Sequence, residues 1–236
     1  MVAFHFYPIE RPTREGYLPT YNSERAMVTT IFIVVTVIVS ILSFGQNEFL
    51  PQGISRPEWF HKLKFNAYMI VHEKQHYRLL TSGFIHGSSW HLIFNMMTLY
   101  FFGYFVEDCF NAVFGAKGEF FYALMYLLAI AVSSISDLIK YKDNPEFNAI
   151  GASGAVSAII FAAILFEPTM GIYLFFIPIP IPGYIFGPLY LIYCQYMAKK
   201  NIDNIGHSAH FWGAVFGFFF PILLQPSLIY YLLSYF

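Results

Sequence analysis

The run Gly151-Ala152-Ser153-Gly154-Ala155-Val156-Ser157-Ala158-Ile159-Ile160-Phe161-Ala162-Ala163-Ile164-Leu165-Phe166 contains no charged residue and opens on a serine between glycines. From Ser153 onward it reads as an unbroken apolar helix. Gly154, Ala158 and Ala162 recur at steps of four, a small-residue stripe on which a second helix backbone can approach closely. A hydrolase elbow would need glycine two places after the serine and a strand before it; Ala155 and the helix exclude that reading. Ser153 alone also fits a packed membrane-helix interface, where serine is common.

The rest of the chain puts this helix in lipid. Of 236 residues, 57% are hydrophobic and only 11% charged, with 28 Phe and 18 Tyr. A soluble domain carries roughly a quarter charged residues to keep its surface wet, so this chain cannot cover itself against water. The net charge of −1 leaves no electrostatic footprint for nucleic acid. Cys109 and Cys194 show neither metal-ligand spacing nor a disulfide framework and read as buried small hydrophobes.

A spanning helix needs about 20 mostly apolar residues. Six stretches approach that length, five of them uncharged and the third carrying only Asp137 near its end: Met27 to Phe44, Ser89 to Val106, Phe120 to Leu138, Ile150 to Phe166, Gly183 to Ala198 and His207 to Leu224. The expected fold is therefore an all-α polytopic membrane bundle over 27–224. A polar tail precedes it over 1–26 and a short apolar tail follows over 225–236. The connection 45–88 mixes Trp59, Phe60, Phe65 and Tyr68 with Lys62, Lys64, Lys74 and Arg78, the combination favoured at the headgroup zone, and is expected to lie on the membrane. Phe175 to Pro182 (FFIPIPIP) places prolines at every second position and is expected to be extended.

If six spans alternate in direction, the second, fourth and sixth begin on one face. Their polar side chains there are His86, His91 and Asn95, then Ser153, then His207 and His210. Gly206, His210, Gly213 and Gly217 share one face of the sixth span. Packing that face on the Gly154 stripe brings His210 beside Ser153, and an imidazole within hydrogen-bond reach is the standard base for a serine hydroxyl. His207 is the rival base, turned about 60° away on an ideal helix. Helix-to-helix hydrogen bonding is the plain alternative for an intramembrane histidine. Backbone N–H groups at the start of the fourth span, with His91 and Asn95 four apart on the second, offer donors to an oxyanion. For Asn95 the plain alternative is an interhelical hydrogen bond. A metal at His91 and Asn95 lacks a third ligand at suitable spacing.

With those residues assembled, the sequence resembles the rhomboid family of intramembrane serine proteases from about Tyr77 to Gly217. Tyr77-Arg78 is similar to its aromatic-Arg pair, with His86 following. His91-Leu-Ile-Phe-Asn95 is similar to its HxxxN, with Gly103 and Glu107 as GxxxE. Gly151-Ala152-Ser153-Gly154 is similar to its GxSG, and Ala209-His210-Phe-Trp-Gly213-Ala-Val-Phe-Gly217 to its AHxxGxxxG.

The resemblance implies a six-helix fold around a water-filled cavity and a membrane-embedded first loop. It implies Ser153 as nucleophile, His210 as general base, and His91, Asn95 and the backbone at Gly151 and Ser153 at the oxyanion. Arg78, His86, Glu107, Gly154, Gly213 and Gly217 would be structural motif residues. The implied reaction is hydrolysis of peptide bonds in or next to transmembrane segments of membrane-protein substrates, without metal or cofactor. No acidic third member is expected, Asp137 and Asp203 lying near loop ends. Where many bacterial members carry tyrosine one turn after the nucleophile, this chain has Ser157, so a hydrogen bond, Trp212 or another aromatic neighbour is expected to orient His210. The resemblance also implies a bacterial inner membrane with the active site facing outward. The tally of Lys and Arg leans the other way. A client-binding protein without catalysis is the alternative, against which both Ser153 and His210 speak. A small transporter would want charge at mid-membrane, and the spans contain almost none.

Overall fold

The computed structural model describes residues 27–44, 56–174, 177–200, 202–203 and 205–236. The tail assigned to 1–26 lies outside them. In chain order the helices are α1 (Met27–Ser43), α2 (Glu58–Leu63), α3 (Ala67–Val71), α4 (Arg78–Thr81), α5 (Ser89–Phe114), α6 (Gly118–Ser133), α7 (Ile135–Tyr141), α8 (Ser153–Phe166), α9 (Gly183–Lys200), α10 (His207–Leu224) and α11 (Leu228–Leu233). Two strands, β1 (Gly171–Leu174) and β2 (Ile177–Pro182), separate α8 from α9.

The apolar run from Ser153 to Phe166 is the centre of the molecule. Every residue of α8 from Gly154 to Phe166 is buried, with α5, α6 and α10 packed around it. A helix apolar on all sides has no face to offer water, so it takes the position where neighbours enclose it. At the periphery the usual polarity is reversed. The inward stripe of α1 is Thr29, Phe32, Thr36, Ser40 and Ser43, whereas Ile31, Val34, Val35, Ile38, Ile41 and Leu42 face outward. Hydroxyls inside and branched aliphatics outside suit a lipid surround and would be costly in water. By length and hydropathy, the helical run 89–141 and α10 are able to cross a membrane; α1 and α8 are apolar but shorter.

Helix ends follow local chemistry. Ser88 caps α5 by accepting the His91 N–H at 3.2 Å, and α5 stops at Gly115 with φ +56°. Expected to end at Val106, α5 continues to Phe114 because Glu107 is answered by α1 rather than by water: its carboxylate accepts the Val28 and Thr29 N–H groups at 2.9 and 2.8 Å. These are unpaired donors at the positive end of a helix. The expected third span, 120–138, is broken at Ser134. Ser133 and Ser134 hydroxyls both bond back to the Ile130 carbonyl, at 3.0 and 3.2 Å, and the chain restarts as α7.

The extended reading of the proline run holds for β2, but the partner strand β1 was not foreseen. Gly171 pairs with Pro182 and Ile172 with Ile181, so the fold is not purely helical. Proline alternation leaves one edge of β2 without donors, and a two-stranded ribbon tolerates that. In the last stretch α11 packs back: Leu228 is buried and the Tyr231 hydroxyl donates to the Phe166 carbonyl at the end of α8, at 3.0 Å.

Candidate active site

Gly151, two residues before α8, has φ +114°, a conformation only glycine adopts without strain. A Cβ there would also stand 2.6 Å from Cε1 and 2.8 Å from Nε2 of His91. The turn into Ser153 therefore passes directly under the His91 imidazole.

That turn is held by the first loop. Phe65 and Ala149 exchange N–H···O bonds of 3.0 and 3.1 Å, and the Gly151 N–H donates to the Ser82 carbonyl at 2.9 Å. The Ala152 N–H donates to His86 Nε2 at 3.4 Å. With Nε2 accepting, the ring proton sits on Nδ1, which donates to Ser40 Oγ at 2.9 Å, while that hydroxyl donates to the Phe84 carbonyl at 3.1 Å. Burial, helped by neighbouring His91, pushes the His86 pKa down to about 3, so the ring is neutral and keeps its acceptor.

Arg78 builds the loop that carries these contacts. It is 5% exposed, and its guanidinium donates to the His61 and Lys64 carbonyls at the end of α2, both at 2.9 Å, and to Gln75 at 2.7 Å. Three donors in a rigid fork fit three acceptors that an ammonium could not reach together. Arg56 adds bonds to the His86 and Gly87 carbonyls at 3.2 and 2.6 Å. Asn66 donates to the Pro145 carbonyl at 2.8 Å. The loop is thus bonded to the segment before α8 at several points, and its order fixes the position of Ser153.

The partner helix arrives through glycine. A Cβ on Gly213 would collide with the backbone of Gly154, and one on Gly217 with that of Ala158. Gly206 is not part of this seam: its nearest neighbour is the Ala209 Cβ at 3.7 Å, and it serves as the residue before α10. The contact runs up to Ala209, whose carbonyl lies 3.5 Å from a Cβ built on Gly154. Ser153 and His210 are the residues beside that pair, so both stand at the same end of the α8–α10 seam. Ser153, His210 and His91 are each partly exposed. No hydrogen bond joins Ser153 to His210. Asn95 is buried one turn below His91 and donates one amide proton to the His91 carbonyl at 2.8 Å, leaving its second.

Around His210 the structure departs from expectation. Trp212 is 45% exposed and its ring pairs with Phe211, so it does not orient the imidazole. Ser157 bonds the Tyr190 hydroxyl at 2.9 Å, so a tyrosine reaches this level of the bundle from α9 instead of α8. The ring beside His210 is His207, at a centroid separation of 6.0 Å and 79°. Asp203 is not a bystander: both its carboxylate oxygens lie 3.1 Å from His207 Nε2. Cys194 on α9 is not merely a buried hydrophobe, because its sulfur and one nitrogen each of His207 and His210 lie within 4.8 Å of one another. Tertiary packing of α9 on α10 assembles this group by bringing Cys194 to two histidines one turn apart.

A family model described as Rhomboid domain matches residues 73–227, well over half of the chain. The chain belongs to the rhomboid family. The segment that matches includes the first-loop residues from Glu73, all of α5 to α10, and every site residue described above from Arg78 to Gly217. This rhomboid is also 33% identical over 145 residues to "RHOMBOID-like protein 12, mitochondrial" of Arabidopsis thaliana. That match covers 58% of this chain and 43% of the relative, so the chain spans less than half of the relative's length. Rhomboids are integral membrane proteins, in keeping with the reversed polarity of α1. The relative carries a mitochondrial name, and the comparisons lend no support to the bacterial inner membrane expected from the sequence.

Proposed function

We propose that this rhomboid is an intramembrane serine endopeptidase acting on membrane-anchored proteins at or near a transmembrane segment. The observation that carries the reading is the α8–α10 seam, where glycine lets two backbones touch and brings Ser153 and His210 to one end. In this reading α1, α5, α6, α8, α9 and α10 are the six spans. With 14 residues, α8 rises about 21 Å, less than the roughly 30 Å of hydrocarbon, so its first residue begins below the membrane surface. A hydroxyl there meets a substrate helix that has entered from the side, with water admitted from the loop face.

Ser153 Oγ attacks the scissile carbonyl as His210 accepts its proton. The oxyanion develops beside the unpaired N–H groups that open α8, and His91 and the second amide proton of Asn95 are the side-chain donors within reach. His210 then returns the proton to the leaving amine, and water resolves the acyl-enzyme by the same route. Loss of one such donor costs about 3 kcal/mol in the transition state.

A specific pair of observations favours a second reading, client binding without cleavage: Ser153 and His210 are not bonded to each other, and Asn95 donates within its own helix. The two readings separate in one experiment. Membranes carrying the wild type, Ser153→Ala and His210→Ala are treated with a serine-directed fluorophosphonate and a model membrane substrate. Proteolysis predicts labelling and cleavage by the wild type alone. Undiminished labelling of Ser153→Ala would refute it, and an unlabelled wild type that still co-purifies with the substrate favours client binding.

A further inference from the structure

The group of donors beside His210 has a use that the proteolytic reading leaves open. Cys194 is fully buried and in no disulfide. His207 is 4% exposed, and Asp203 engages its Nε2, which leaves Nδ1 buried with no hydrogen-bond partner among the described residues. An imidazole with one nitrogen on a carboxylate and the other unpaired, grouped with a thiol and a second imidazole, has the makings of a metal ligand: the carboxylate fixes ring and tautomer, and the unpaired nitrogen is the one free to bind an ion.

We propose that Cys194, His207 and His210 form a Zn²⁺ site whose occupancy withdraws the imidazole of His210 from proton transfer. The inhibitory half rests on the reading of His210 as general base; the binding half does not.

One thiolate and two imidazoles make a borderline-soft set suited to zinc, with the fourth tetrahedral position left to water. Bond lengths of about 2.3 Å to sulfur and 2.0–2.1 Å to nitrogen put tetrahedral donors roughly 3.5 Å apart. The donors here lie within 4.8 Å of one another, so closing on the ion asks for side-chain shifts of about 1 Å. Binding releases the Cys194 thiol proton to water. The thiolate and the Asp203 carboxylate then balance the two charges of the ion. That balance is needed because the start of α10 is the positive end of a helix and by itself repels a cation. Asp203 is one-third exposed, which gives the ion an entry from the loop side. Zinc blocks His210 only while it is bound, so inhibition would be reversible by chelation.

The test uses the full-length protein in detergent, purified without a polyhistidine tag and stripped with a chelator, then titrated with Co²⁺ as a spectroscopic stand-in. The expected result is a thiolate-to-cobalt charge-transfer band with the visible bands of a tetrahedral site, both bleached by equimolar Zn²⁺. Cys194→Ser removes the charge-transfer band, His207→Ala weakens Zn²⁺ binding at least 100-fold, and Asp203→Asn weakens it at least tenfold. Ser153→Ala binds as the wild type does. In the cleavage assay Zn²⁺ inhibits the wild type and is without effect on Cys194→Ser relative to that variant's own zinc-free rate. Absence of the charge-transfer band in the folded wild type overturns the proposal whatever the variants do. So does zinc inhibition unchanged in Cys194→Ser. Cobalt binding with a thiolate band in a protein that cleaves and labels nothing would leave the metal site standing and remove the protease reading; cleavage without the band would do the reverse.

Discussion

The two ends of α5 treat buried polar groups in opposite ways. Near its far end Glu107 is fully buried and both carboxylate oxygens are occupied by the first N–H groups of α1, while Thr29 and Tyr122 share a hydrogen bond of 2.7 Å alongside. Near its start His91 leans over Gly151, Ser153 and His210 stand at one seam without bonding, and His207 keeps a nitrogen with no partner among the described residues. At these two places a polar group that is fully answered holds the fold together, and in the proteolytic reading the ones left unanswered are those available for chemistry. Arg78, His86 and Glu107 belong to the first kind although they sit in the same motifs as the second.

The largest effect should come from the seam that brings the unanswered groups together. Gly213→Ala puts a methyl on the Gly154 backbone, where no side chain can rotate away. The expected cost is about 3 kcal/mol of stability together with loss of fluorophosphonate labelling. Gly206→Ala, whose methyl would meet the Ala209 Cβ at an ordinary contact distance of 3.7 Å, should leave both close to wild type. Equal damage from the two would show that glycine content, not backbone contact, matters in α10.

Glu107 tests the other end. Replacement by alanine strands two helix-opening donors and should lower the unfolding midpoint by the equivalent of about 2 kcal/mol, with Glu107→Gln between. Labelling per folded molecule should be unchanged. A fall in labelling without a fall in stability would break the division drawn between the two ends.

His86 lies on the boundary, a fully paired group that steers the unpaired ones, and its pH dependence separates these roles. Folded, its pKa is pushed down to about 3; unfolded, it is about 6.5. The unfolded chain therefore binds the proton first on acidification, so the contribution is complete above about pH 6.5 and is lost as pH falls toward 3. The expected slope is about 1.4 kcal/mol per pH unit through the upper part of that window. In His86→Gln that slope should disappear, and labelling should weaken at every pH because the Ala152 N–H has lost its acceptor.

The seam was legible in the sequence because close backbone approach demands small residues at fixed steps, and Gly213, Gly217, Gly154 and Ala158 recur at four. The boundaries of α10 were legible for a similar reason: a charge-free run opened by the polar loop before His207 and closed at Gln225-Pro226-Ser227. α5 was read eight residues short because a carboxylate looks like the end of a span unless its donors are known, and those lie on α1, about 80 positions earlier. The break at Ser134 depends on hydroxyls bonding back to Ile130, which serines in other spans could have done equally well. Tyr190, Cys194 and Asp203 were passed over because what gives them meaning is contact between α9 and α10. Only the positions of His207 and His210 on a shared turn hinted at it, and there His207 was weighed as a rival base, not as a neighbour.

The smallest effect expected marks where the rule stops. Glu58 and Lys62 form an ion pair of 2.9 Å on the outside of α2, with side chains 85% and 63% exposed. The Lys62 ammonium holds the Glu58 carboxyl below its usual value. Its stabilising sign is thus present at neutral pH and is lost as acid protonates the carboxylate. Water solvates both partners about as well apart as together. Glu58→Gln should accordingly leave the unfolding midpoint and the labelling rate where they are, although this pair is as short as the buried bonds of Glu107. A measurable loss would mean that α2 is shielded from water more deeply than its exposure indicates. It would also mean that the line between answered and unanswered polar groups extends out to the first loop.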